Sequence, residues 1–174
     1  MNTYYFNKAV RYITYTAELL LLFMVQETPG LMPPVFGVRP LLILSLAITV
    51  ALLEPEVPSM FFGILTGAAM DFGLGRPVGG ACLILAVVCC VLSALARNKL
   101  HVTIGSAMLS AALCLGAVTA LLWATGFVAQ GYSHPLTALA DVYLPVYLYT
   151  LLITPLVYLV NLGVFWALRD PAER

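Results

Sequence analysis

The sequence predicts an all-α integral membrane protein with six transmembrane helices. Three observations lead there. The chain of 174 residues is 62% hydrophobic and only 9% charged, whereas a soluble domain is about a quarter charged. A chain this short has too little interior to hide that much apolar surface from water, so lipid must be the solvent for most of it. The apolar residues also fall into six separate runs, divided by stretches rich in proline, glycine and charge.

A membrane-crossing helix needs about 20 mostly apolar residues, somewhat fewer when it is packed short. Span one covers roughly 8–26. Lys8 and Arg11 flank it in the manner of a secretion signal. Glu18 interrupts the run, however, and no small-x-small cleavage site closes it, so it reads as a retained span. The turn-rich ETPGLMPPVFG follows. Span two, roughly 39–53, is short, and EPEVP then breaks the chain twice with proline. Span three is roughly 57–74, followed by the tight connection GLGRPVGG, and span four is roughly 79–96. RNKLH is a polar hinge. Span five, roughly 102–128, is long enough to tilt. QGYSHP links it to span six, roughly 140–168, in which Pro145 and Pro155 predict kinks, with neighbouring helices satisfying the freed carbonyls. The whole of 1–174 reads as a single membrane domain.

The basic residues set the orientation. Lys8, Arg11, Arg97, Lys99, Arg169 and Arg174 all fall on the cytoplasmic side if both termini are cytoplasmic, leaving only Arg39 and Arg76 outside. The positive-inside rule selects that arrangement. A net charge of zero gives no basic face for nucleic acid. Cys82, Cys89, Cys90 and Cys114 lie in apolar runs without histidine partners, so they read as packing residues, with no disulfide and no metal site expected.

Chemistry-bearing residues are few. In FFGILTGAAMDFGLGRPVGG, Gly63, Gly67 and Asp71 sit four apart, and Gly75 and Gly79 continue the count. Residues four apart share a helix face, and small residues in that frame let a second helix backbone come close. Asp71 falls near the outer end of span three. There it can accept hydrogen bonds from the backbone N–H groups that open the fourth helix, and Arg76 is within reach. The structural reading is a pinned turn; the functional one is a proton relay or ligand group. Glu18 lies near the midplane of span one, the costly place for a charge. Its partners by type are Asn161, Tyr147, Thr154 and the local Thr16. Its role stays open between a protonated packing residue and a functional acid. His101 reads as a cytoplasmic interface residue. His134 and Asp141 lack any metal or catalytic spacing, no serine or cysteine has a base in frame, and no catalytic residue or cofactor is expected.

Three parts of the chain resemble the rod shape-determining protein MreD family. Gln26 and a proline-bearing turn lead into GVRPLLIL. GILTGAAMDFGLGRPVGG supplies a glycine-rich span ending in G-x-x-x-D and then G-x-x-x-G, matching at Gly63, Gly67, Asp71, Gly75 and Gly79. SALARNKL closes span four with a basic cluster. The likeness covers mainly residues 26–100, and FGLGRP after the aspartate departs from the usual pattern. The resemblance implies a non-catalytic scaffold of the elongasome, the machinery of lateral peptidoglycan synthesis and cell shape. Its implied partners are MreC, with MreB, RodA and a class B transpeptidase reached directly or through it. It also implies a fold similar to the six-helix substrate-binding components of energy-coupling-factor transporters. A vitamin-binding component of such a transporter is the alternative function. It would need convergent polar groups on the outer side, where Arg39, Asp71, Arg76, His134 and Asp141 are a sparse set. An intramembrane enzyme built on Glu18 or Asp71 lacks a nucleophile or metal frame.

Overall fold

The computed structural model describes residues 2–28, 30–31, 38–75, 79–99, 104–125, 137 and 139–168. Regular structure among them is helical: α1 (Asn2–Glu27), α2 (Leu42–Leu53), α3 (Glu56–Gly73), α4 (Gly80–Lys99), α5 (Ile104–Trp123) and α6 (Leu144–Ala167), the last preceded by a π-helical turn, Leu139–Tyr143. Two stretches, Gly80–Arg97 and Leu139–Ala167, are long and apolar enough to cross a membrane, and Leu42–Leu53 and Met108–Trp123 are shorter apolar helices.

The arrangement follows from α2. Its sequence, LILSLAITVALL, has no polar face, and a helix apolar on every side belongs in an interior. Eleven of its 12 residues are buried. Ser45 and Thr49 donate their hydroxyls to the carbonyls of Leu42 and Leu46 in their own helix, at 2.7 and 2.8 Å, so they add no unmet polar demand. The other five helices close a ring around this post in the order α1, α3, α4, α5, α6. At 1.5 Å per residue α2 is only about 18 Å long. Its first turn is held from outside: the Leu41 N–H donates to Thr150 of α6 at 3.0 Å, and the Ile43 N–H to the Gln26 side chain of α1 at 3.4 Å.

Prolines behave differently from the expectation. EPEVP makes one break where two were expected. Pro55 flanks α3, but Pro58 lies in its first turn, where a missing N–H costs no helix hydrogen bond. Pro145 stands in the first turn of α6, directly after the π-helical turn, and Pro155 lies inside the same helix. Lys8 and Arg11 do not precede the first helix; α1 already begins at Asn2 and contains both.

Candidate functional site

Asp71 sits in the last turn of α3 and is 3% exposed. One carboxylate oxygen accepts from the Gly79 N–H at 2.9 Å and the Ala81 N–H at 3.2 Å, and the other lies 3.3 Å from the same Ala81 nitrogen. Those N–H groups belong to the start of α4, which has no partners for them within the helix. The carboxylate thus caps α4 from the neighbouring helix, with its negative charge at the positive end of the helix dipole. Arg76, expected within reach, lies outside the described residues, as do His101 and His134.

The five residues of the four-spaced motif divide into two kinds. Ser59, Phe62, Gly63, Thr66, Gly67, Met70 and Asp71 form the buried face of α3. A Cβ on Gly63 would stand 2.6 Å from the Leu85 carbonyl oxygen, and one on Gly67 would stand 2.5 Å from the Cys82 nitrogen. Both obstacles are backbone of α4, so these glycines set how closely the two helices pack. Gly75 and Gly79 keep the spacing but have left the helix. Their φ values are +62° and +143°, a region that glycine enters without the Cβ penalty. Gly75 closes the end of α3 by donating to the Phe72 carbonyl at 3.1 Å.

Glu18 lies half-buried on α1 and faces α6. Asn161, fully buried, donates its side-chain amide to the Glu18 carboxylate at 3.2 Å and to the Val157 carbonyl of its own helix at 2.9 Å. Of the other partners considered, Tyr147 donates to Ala112 of α5, while Thr154 and Thr16 donate to their own helices.

A third polar group went unread in the sequence. Arg11 and Glu54 are 4% and 2% exposed. Arg11 Nε lies 2.7 Å from one oxygen of Glu54, and its Nη2 donates to the other at 3.1 Å. The guanidinium also stands over the Phe165 ring of α6, 5.0 Å from its centroid. The Glu54 backbone carbonyl accepts from Ser93 of α4 at 2.6 Å and from Ser59 of α3 at 3.1 Å. One turn therefore ties α1, α3, α4 and α6 together beneath α2. A lone arginine in an apolar helix, with a lone acid ending the next, was the available signal. Arg97 and Glu56 pair at 3.2 Å at the same end, but both are exposed.

At the opposite end, a cavity of about 260 Å³ opens between α2, α3, α5 and α6. Leu41, Met70, Leu74, Leu122, Val142 and Val146 line it, with Thr119 and Tyr143 as its polar members. Asp141 lies exposed in the π-helical turn, and Arg39 is also exposed. The four cysteines are free thiols. In every node the charged or amide group holds one helix to another, and Asp71, Glu18 and Glu54 belong to three separate clusters rather than converging on one. No protein-family model, no curated protein and no solved structure matches the chain.

Proposed function

We propose that this protein is a non-catalytic scaffold with six membrane spans in the bacterial cell membrane, both termini cytoplasmic, of the kind the MreD family provides. On this reading it binds the single-span protein MreC and supports lateral peptidoglycan synthesis together with MreB, RodA and a class B transpeptidase. The observation that carries the reading is the use of the motif residues. Gly63, Gly67 and Asp71 are spent on seating α4, and Gly75 and Gly79 on the turn between the helices. A motif spent this way builds a rigid body. The described charges support the orientation: Arg11 and Arg97 gather at the end holding Glu54 and Glu56, opposite Arg39.

The test is co-expression with an MreC protein from the same genome, purification in detergent, and mass spectrometry for bound small molecules. A stable complex without a ligand is expected. A tightly bound vitamin and no complex would overturn the scaffold in favour of a transporter component. The cavity between α2, α3, α5 and α6 favours that second reading by position, but its apolar lining suits a polar vitamin poorly.

A further inference from the structure

We propose that the outer end of the bundle binds one acyl chain of a bilayer lipid, admitted sideways between α5 and α6. The site is the cavity over the start of α2 together with a second hollow beside it. The inference goes beyond the scaffold reading and shares with it only the six-span membrane arrangement.

The cavity follows from the central post. α2 begins at Leu42, and the end of α3, the last turns of α5 and the start of α6 stand around that beginning. Met70, Leu122 and Val146 wall the space of about 260 Å³ between them, with Leu41 at the post. A helix start beside a cavity ordinarily suits an anion. Here its N–H groups are taken: that of Leu41 by Thr150, that of Ile43 by Gln26, and those of Leu44 and Ser45 by the Leu41 carbonyl. The Thr119 hydroxyl donates to the carbonyls of Leu115 and Gly116 at 2.9 and 3.0 Å. Among the described residues, no buried side-chain polar atom without a partner lies in the lining. A polar guest would therefore lose its hydration without return. An apolar cavity of about 150 Å³ already stays dry and admits benzene, so the guest that suits this one is hydrocarbon.

The second hollow gives the guest its shape and source. It measures about 220 Å³ and shares Thr119 and Tyr143 with the first. Gly116 and Ala120 of α5 and Leu144 and Tyr147 of α6 form its other walls. Ala120 and Leu144 are exposed, on the side where lipid lies. Glycine and alanine give α5 little side-chain bulk at this point. Two adjoining hollows, the outer one facing lipid, suit a long flexible chain better than a compact ring.

The experiment reconstitutes the full chain in phosphatidylethanolamine vesicles doped with phosphatidylethanolamine that carries a diazirine midway along one acyl chain. Photo-adducts are mapped by mass spectrometry. Adducts are expected at Leu113, which faces lipid, and at Met70 and Leu122, which are 3% and 5% exposed and which lipid reaches only by entering the cavity. Leu92, 2% exposed on α4 and outside the lining, should stay unlabelled. Val146→Phe and Leu74→Trp fill the cavity from different walls, and each should lose the Met70 adduct while keeping that at Leu113. Thermal unfolding confirms that the variants fold, and the wild-type contrast between Met70 and Leu92 stands without them. Leu113 labelled with Met70 and Leu122 bare would overturn the lipid site and leave the scaffold reading intact. Equal labelling of Met70 and Leu92 would do the same. A vitamin that survives purification and displaces the Met70 adduct would overturn both the lipid occupant and the scaffold. No adduct at Leu113 would overturn the membrane arrangement, and both readings with it.

Discussion

Gly67→Ala puts a single methyl group where the structure has no room. The new Cβ would stand 2.5 Å from the Cys82 nitrogen, about 1 Å inside ordinary van der Waals contact. The obstacle is the backbone of α4, which cannot rotate away as a side chain would. The helices must part along their seam, and a gap of 0.5–1 Å forfeits roughly a quarter to a half of each dispersion contact it opens. Overpacking of this kind costs about 1–3 kcal/mol. For a chain of this size that is a fall of roughly 2–12 °C in Tm, at about 2–4 °C per kcal/mol. The assay is thermal unfolding of the purified protein in detergent, with Gly163→Ala as control, because a methyl there meets nothing within 4 Å. The control should unfold at or slightly above the wild-type temperature. If Gly67→Ala does so too, or if both variants fall equally, the close α3–α4 contact is not what the glycine is for.

Asp71→Asn should be milder than Asp71→Leu, since the amide keeps one acceptor for the N–H groups of Gly79 and Ala81. The leucine variant loses the cap and about 1–2 kcal/mol, read in the same unfolding assay. Gly67→Leu should be worse than either. Gly75→Ala, forced into positive φ, should cost roughly 1–2 kcal/mol without disturbing helix packing, so its Tm falls while its oligomeric state on gel filtration stays constant. Glu54→Leu and Arg11→Met should each destabilise by about 3–5 kcal/mol, because each strands a buried partner. The double variant Arg11→Met/Glu54→Leu should recover much of that loss, and a double-mutant cycle in Tm checks it; strict additivity would contradict the ion pair.

The helical class and the six helices found among the described residues were legible in the sequence because apolar runs and turn residues are local signals. Asp71 beside the start of α4 was legible for the same reason: only eight residues separate it from Gly79. The central position of α2 was foreshadowed by its lack of a polar face, although its shortness drew attention first. The Arg11–Glu54 pair was hidden because it joins residues 43 apart, and both had a simpler local reading, one as a flanking charge and one as part of a proline break. The four-residue glycine count misled in its second half. Spacing alone does not show that the helix ends at Gly73, after which Gly75 and Gly79 serve the turn. Which of the possible partners Glu18 would choose depended on how α1 and α6 meet, and no periodicity in either helix encodes that.

The scaffold depends on the six-span membrane arrangement, and cysteine accessibility tests that arrangement most directly. In a variant lacking the four native cysteines, single cysteines would be placed by Arg76→Cys, His134→Cys, Lys99→Cys and Arg174→Cys. They would then be exposed to a membrane-impermeant maleimide in intact cells and after lysis. Labelling is expected at positions 76 and 134 in intact cells, and at 99 and 174 only after lysis. Labelling of position 99 together with 76 from the same side would contradict the six-span arrangement and the scaffold built on it.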